Sequence, residues 1–201
     1  MDTIRLENRQ LHKASEVLAA AFFEYPIFTF YFPEPRHRSR YLPWYFKNIL
    51  TTALRYGAVY ATPEISGVMF TLPPGHTKIS IPEYLQCGFF LTPFVMGLRN
   101  YVRSMECEDF VGVTQIEIMA NRPHYYLWGL AVEPSQKRQG IGGLLLQLLL
   151  DQADSEGMPI YLETHDERNV PYYQRYGFDL VRATQIPKHQ LPIWCMVRES
   201  V

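Results

Sequence analysis

The sequence predicts an α+β sandwich built on a mixed, strongly twisted β-sheet. Three observations point there. Tyr125–Val132, Gly140–Ser155 and Pro159–Glu163 read as strand, helix and strand, and a crossover of that length joins parallel strands with a right-handed connection. Phe178–Thr184 and Pro192–Arg198 supply two further strands, expected to be antiparallel. Gly57–Ala61 and Ile65–Leu72 flank Thr62-Pro63-Glu64 at hairpin spacing.

In chain order, Thr3–Leu6 alternates apolar and polar residues and makes a first strand. Leu11–Glu24 is a helix with Leu11, Ala14, Ser15, Leu18 and Phe22 along one side. Tyr25–Tyr31 is aromatic and runs into Phe32-Pro33-Glu34-Pro35; the whole stretch from Glu24 reads as a loop. His37–Tyr56 is the second helix despite Pro43, and Pro73-Pro74-Gly75 after the hairpin is a break. Residues 76–121 carry weaker signals: helix starts at Pro82-Glu83 and at Pro93, then a third helix over Glu106–Ala120. In the helix after Gly140, Gln147, Asp151 and Asp154 form a narrow wet stripe among leucines, as on a helix packed against a sheet, and Gly157 stops it.

At 201 residues the chain is expected to be one domain with a full core. Its residues are 47% hydrophobic, 14% aromatic and only 19% charged, a globular balance. A net charge of −1 offers no field for nucleic acid or an anionic membrane. The longest apolar run, Leu85–Leu98, contains Pro93 and is too short to span a bilayer, so it reads as a helix pair beside a binding site. Cys87, Cys107 and Cys195 lack metal-ligand spacing, and an odd count without a targeting segment suits reduced thiols. A soluble cytoplasmic protein, monomer or homodimer, is the expectation.

The most informative stretch is Leu130-Ala131-Val132-Glu133-Pro134-Ser135-Gln136-Lys137-Arg138-Gln139-Gly140-Ile141-Gly142-Gly143. A strand runs into a basic, glycine-rich loop and then a helix. Amides at a helix start lack intrahelical partners and sit at the positive end of the helix dipole, and glycine lets an anion approach them. The spacing is neither the P-loop nor the dinucleotide fingerprint. It resembles motif A, [QR]-x-x-G-x-[GA], of the GNAT superfamily of acyl-CoA-dependent N-acyltransferases, with Lys137 where Gln or Arg is usual. A second segment, Leu162-Glu163-Thr164 through Asn169-Val170-Pro171-Tyr172-Tyr173 to Gly177-Phe178, resembles the next motif of that superfamily. Its short Asn-x-Pro-x-Tyr form is similar to the branch of puromycin N-acetyltransferase, as are His124-Tyr125-Tyr126-Leu127 and Trp194-Cys195-Met196-Val197-Arg198. Asn169 is placed as a helix N-cap and Gly177 just past the helix end.

The resemblance implies a three-layer α/β/α fold whose central parallel strands splay apart. It implies an acceptor-pocket half over about residues 1–121 and an acetyl-CoA-binding half over about 122–201. The main chain of Leu130, Ala131 and Val132 would pair with pantetheine, and an amide of that strand would face the thioester carbonyl. Lys137, Arg138, Gln139, Gly140, Ile141, Gly142 and Gly143 would hold the pyrophosphate, and Asn169 would reach the pantetheine amide. Tyr173 matches the tyrosine that protonates the departing thiolate; a phenol with a pKa near 10 can donate to a thiolate whose acid lies near 8.5.

The base is open among Glu163 acting through water, His124, Glu117, or none if the amine enters neutral; Glu163 is favoured. Cys195 reads as a buried strand thiol. Phe22, Phe23, Phe28, Phe30, Tyr31 and Trp128 read as core, yet the Glu24–Pro35 stretch lies where the superfamily builds its acceptor pocket, and an aromatic wall for a flat or apolar acceptor is expected there. The reaction implied is direct acetyl transfer from acetyl-CoA to a small-molecule amine. A non-catalytic acyl-CoA sensor would keep the phosphate cradle without the acid, and acetylation of a protein N-terminus or lysine would require an open groove.

Overall fold

The computed structural model describes residues 2–201. Its strands are β1 (Ile4–Arg5), β2 (Ala58–Ala61), β3 (Gly67–Leu72), β4 (Tyr125–Val132), β5 (Ile160–Thr164), β6 (Asp179–Ile186) and β7 (Leu191–Arg198), lying in the order β1-β2-β3-β4-β5-β7-β6. All neighbours pair antiparallel except β4 and β5, the parallel pair expected from the crossover. The helices are α1 (Leu11–Ala21), α2 (Pro26–Tyr31), α3 (Pro35–Tyr56), α4 (Ile81–Gln86), α5 (Thr92–Met96), α6 (Leu98–Met119), α7 (Ile141–Glu156) and α8 (Val170–Gln174).

The sheet is sandwiched. Alternate strand residues face opposite sides, so Val68 and Phe70 meet α1 and α3 while Met69 between them meets α7. Leu145, Leu146, Leu149 and Leu150 bury the inner face of α7 against Tyr125, Leu127, Ile160 and Leu162. Over β4, β5 and β7, on the side away from α7, α6 sets Val111 and Met119 against Tyr126, Tyr161, Ile193 and Cys195.

Two irregularities in β4 shape the space beside it. Its pairing with β3 slips between Phe70 and Thr71, so Trp128 has no partner and forms a β-bulge. The bulge shifts the alternation: Tyr125 and Leu127 face α7 before it, Leu130 and Val132 after it. Gly129 accommodates this, because a Cβ there would lie 2.2 Å from the Phe70 ring. Its pairing with β5 is limited to Tyr125 with Ile160 and Tyr126 with Tyr161, after which the two strands part.

Several expected boundaries shift. The helix expected to reach Glu24 ends at Ala21, and the stretch read as a loop contains α2, started by Pro26. Its aromatic residues show no polar stripe because they are packed on several sides. The third helix of the 76–121 region begins at Leu98, not Glu106, directly after Gly97 at φ +75°. Asn169 does not cap α8 with its side chain; it already has helical backbone angles, and Asp166 caps the preceding turn by accepting from the Arg168 amide.

Candidate active site

Where β4 and β5 part, two concavities meet. The first is a cleft of about 570 Å³ beside the start of α7. It brings together Leu130, Ala131 and Val132 of β4, Lys137, Arg138, Gly140, Ile141, Gly142 and Gly143 of the glycine loop, and Asn169 and Tyr173. Gln139 is not among its lining residues, whereas Gln136, Arg168 and Arg175 are. The loop enters the helix through left-handed residues, Arg138 at φ +67° and Gly140 at φ +81°. The first helical amide with an internal acceptor is that of Leu144, which donates to Gly140, so the amides of Ile141, Gly142 and Gly143 are open to an anion. The glycines also let tyrosines approach: a Cβ on Gly143 would lie 2.2 Å from the Tyr176 hydroxyl, and one on Gly142 3.0 Å from that of Tyr172. The positive loop, the free amides and the open backbone fit a pyrophosphate, and the edge of β4 that β5 leaves uncovered beyond Tyr126 fits an amide-bearing arm laid along it.

The second concavity is a cavity of about 200 Å³ on the face away from α7, between α2, α3, α4 and α6. Phe28, Tyr31, Tyr45, Phe46, Tyr84, Phe89 and Trp128 give it aromatic walls, so the Glu24–Pro35 stretch contributes as expected. Phe23 and Phe30 do not line it: Arg38 sits over the Phe23 ring and Arg103 over the Phe30 ring. Phe22, Tyr25, Leu130, Asn169 and Tyr173 line both spaces and mark their junction.

A chain of polar contacts ties the junction to the end of β5. The Asn169 amide donates to Thr164 Oγ1 at 2.9 Å, Thr164 Oγ1 shares a hydrogen bond with Tyr25 Oη at 2.8 Å, and Tyr25 Oη accepts from the His165 amide at 2.7 Å. Burial pushes the Tyr25 phenol up to about 12, so it stays a neutral partner. Tyr173 Oη has no hydrogen-bond partner among the described residues. Burial, reinforced by Tyr25, Tyr172 and Glu163, holds that phenol well above its ordinary pKa and keeps it protonated.

The three candidate bases separate. Glu117 pairs with Arg182 at 2.7 Å on the outside of the molecule. His124 lines neither space; it is held between the Arg122 carbonyl at 2.7 Å and Gln115 at 3.0 Å. Glu163 faces the cavity on the side of β5 shared with Tyr161, accepts from the Tyr126 hydroxyl on Oε1, and leaves Oε2 buried and unpartnered. Burial drives its carboxyl up to about 8, with the Tyr126 bond opposing and the charge of Glu108 adding to the rise.

Two cavity residues carry no clear signal in the sequence. His165 donates Nδ1–H to the Pro192 carbonyl at 2.8 Å, and burial lowers it to about 4, leaving a neutral imidazole that is a weak base. Glu108 on α6 accepts from Tyr31 Oη at 2.9 Å. Ser104, Glu108 and Val111 recur on one helical face, a pattern visible in sequence once α6 is taken to start at Leu98. Cys195 is a fully buried strand thiol, as expected. Among the described residues no group of acidic, histidine and cysteine side chains is placed to hold a metal, and no helix is long and apolar enough to cross a membrane.

Residues 20–178 match the acetyltransferase (GNAT) family. The chain is 24% identical over 208 aligned positions to an uncharacterised N-acetyltransferase of Schizosaccharomyces pombe, covering 97% of this chain and 82% of that protein. Its fold is similar to the crystal structure of a "histone acetyltransferase HPA2 and related acetyltransferase" of Corynebacterium glutamicum, with a TM-score of 0.68 and 20% identity across 99% of this chain and 96% of the other. Arylalkylamine N-acetyltransferase 2 of Aedes aegypti superposes with a TM-score of 0.64 at 12% identity over 98% of each chain. Ard1 of Thermoplasma volcanium superposes at 0.58 and 13% identity over 100% of this chain and 97% of that one. At these identities the structural likeness is one of fold.

Proposed function

The chain belongs to the acetyltransferase (GNAT) family, and from that premise we propose that it transfers the acetyl group of acetyl-CoA directly to a primary amine of a small molecule. One observation carries the choice of acceptor. The amine-side space is a walled aromatic cavity of about 200 Å³ opening onto the glycine-floored cleft at the β4–β5 junction. A protein lysine or N-terminus would call for an open groove running past the junction.

Acetyl-CoA supplies an activated acetyl group held as a thioester. The chain's own residues account for the rest. Ile141, Gly142 and Gly143 amides with Lys137 and Arg138 hold the pyrophosphate, and the Leu130–Val132 main chain with Asn169 aligns the arm. Main-chain amides of β4 that have lost β5 as a neighbour are free to donate to the thioester carbonyl oxygen as it gains charge. Glu163, in its ionised form, takes the proton of the incoming ammonium directly or through a water. As the C–N bond forms, the amine nitrogen gives up its second proton while the C–S bond breaks. Tyr173, kept neutral by burial, donates its hydroxyl proton to the departing thiolate and takes up the nitrogen's proton in return, so that the phenol ends protonated and the sulfur leaves as the thiol. Holding both reactants at one junction contributes several kcal/mol by itself. A non-catalytic sensor would have no use for the base and acid that face this junction.

The three cysteines are free and buried, which supports a reducing, cytoplasmic setting. The test is product analysis: incubation with acetyl-CoA and an amine panel including puromycin, with mass spectrometry of each amine. A mass gain of one acetyl group on a small amine supports the reading. Acetylation confined to peptides would replace it with the protein-directed one.

A further inference from the structure

The charge pattern of the aromatic cavity narrows the class of acceptor, on the premise that the protein transfers acetyl groups to amines as proposed. Among the described residues that line the cavity there is no Lys or Arg, and its one basic side chain, His165, is neutral. Two carboxyls face the lumen. Glu163 lines the cavity near the junction residues Tyr25 and Tyr173, and Glu108 stands on α6 near Tyr31 and Tyr84, outside the residues that line the cleft. Glu108 is surrounded by protein, yet much of its own surface is accessible because that surface looks into the cavity. Its Oε1 accepts one hydrogen bond, from Tyr31, and its Oε2 accepts none and stays open.

A carboxyl enclosed without a cation is costly unless something completes it. Glu163 is used by the reacting amine, which leaves Glu108 without a counterpart in the protein. The Tyr31 hydroxyl bonds it and the Tyr45 and Tyr84 phenols lie near it, and the aromatic lining of the same cavity suits a cation, since aromatic faces carry negative potential. We propose that the acceptor carries two basic nitrogens: one is acetylated at the Glu163 end, and the other is retained as a cation by Glu108 within the aromatic wall. Glu108 is then a specificity-determining residue, selecting compact diamines over monoamines of the same length.

The experiment measures kcat/KM for matched sets of three- to six-carbon acceptors, each a diamine, an amino alcohol and a monoamine of one chain length, with wild-type protein and Glu108→Gln. The expected result is a diamine preference over the matched monoamine of about tenfold or more at the best length, carried by KM. Glu108→Gln should lower that ratio by about tenfold. An amino alcohol as good as the diamine would mean that Glu108 reads a neutral hydrogen-bonding group, and would overturn the proposal. So would a ratio unchanged in Glu108→Gln with unaltered melting. The wild-type ratio needs no variant and decides the matter if Glu108→Gln fails to fold. Calorimetric binding of the same amines in the presence of CoA separates the two readings. Diamine binding that depends on Glu108 without any acetylation would sink the transfer reading and keep the anchor, whereas acetylation of monoamines and diamines alike would do the reverse.

Discussion

Tyr126, the last residue of β4 to pair with β5, donates its hydroxyl to Glu163 on β5. The last residue of β5 to pair with β4 is Tyr161, two before Glu163, so the bond reaches across the strands where they have begun to part. It also leaves the second oxygen of Glu163 buried without a hydrogen-bond partner.

Burial raises the Glu163 carboxyl to about 8, against the ordinary 4.5. As a base it works only when ionised, so kcat/KM is expected to rise with pH and level off above about 8. Glu163→Gln should flatten that limb and lower kcat by about 10²–10⁴-fold. Stability runs the other way. A folded pKa above the unfolded one contributes stability that is fully present below about 4.5 and lost as pH rises through about 8. Because Gln mimics the protonated form, Glu163→Gln should gain on wild type by on the order of 5 kcal/mol across that window. Denaturant melts at a series of pH values check this, and a constant gap would contradict it.

Tyr173 faces both the cleft and the cavity with no internal partner for its hydroxyl. Tyr173→Phe keeps the ring packed against Phe178 and Tyr172. It is expected to lower kcat by about 10²-fold or more while the KM for acetyl-CoA stays within a small factor. Steady-state kinetics with both substrates varied gives the split.

At the start of α7, Gly143 leaves room for the Tyr176 hydroxyl, which a Cβ would meet at 2.2 Å. Gly143→Ala should cost about 1–3 kcal/mol and weaken CoA binding. Tyr176→Phe in the same chain should restore much of both, since the next ring atom lies 3.3 Å from that Cβ. Calorimetric titration of CoA into the single and double variants reads the rescue.

The aromatic wall depends on Arg38, which is 3% exposed. Its guanidinium donates to the Phe32 carbonyl at 2.9 Å, pairs with Glu24 at 3.0 Å and covers the Phe23 ring. Arg38→Met strips these donors and should destabilise by about 1–3 kcal/mol. Because α2 is tied through this residue, acceptor KM should rise as well, as it should in Phe28→Ala, with little change in CoA affinity. Chemical denaturation and acceptor kinetics test the two halves.

What the sequence made legible was local. The strand–glycine loop–helix–strand unit has one period per element and turn residues at each end, so β4, α7 and β5 could be placed to within a residue or two. The loop's glycines were legible as points of close backbone approach, and within the protein they serve the left-handed turn at Gly140 and the Tyr172 and Tyr176 hydroxyls beside Gly142 and Gly143. α2 was invisible because Pro26–Tyr31 buries aromatic rings on several sides and so lacks an amphipathic stripe. Glu108 was missed because its meaning lies in a contact with Tyr31, 77 residues away, and the Tyr25–Thr164 bond spans 139. Periodicity says which face of a helix is wet. It does not say that a wet-looking glutamate on α6 lines an aromatic cavity.

The most direct measurement follows thiol release from acetyl-CoA as amines are added to wild-type protein, Glu163→Gln and Tyr173→Phe, with melting in CoA as the control for binding. Saturating CoA near 100 times Kd should stabilise all three proteins by about 2.7 kcal/mol. The expected result is amine-dependent thiol release by wild type that falls about 10²-fold or more in each variant. A clear melting shift in all three with no thiol release from any amine would contradict direct acetyl transfer and leave an acyl-CoA-binding module.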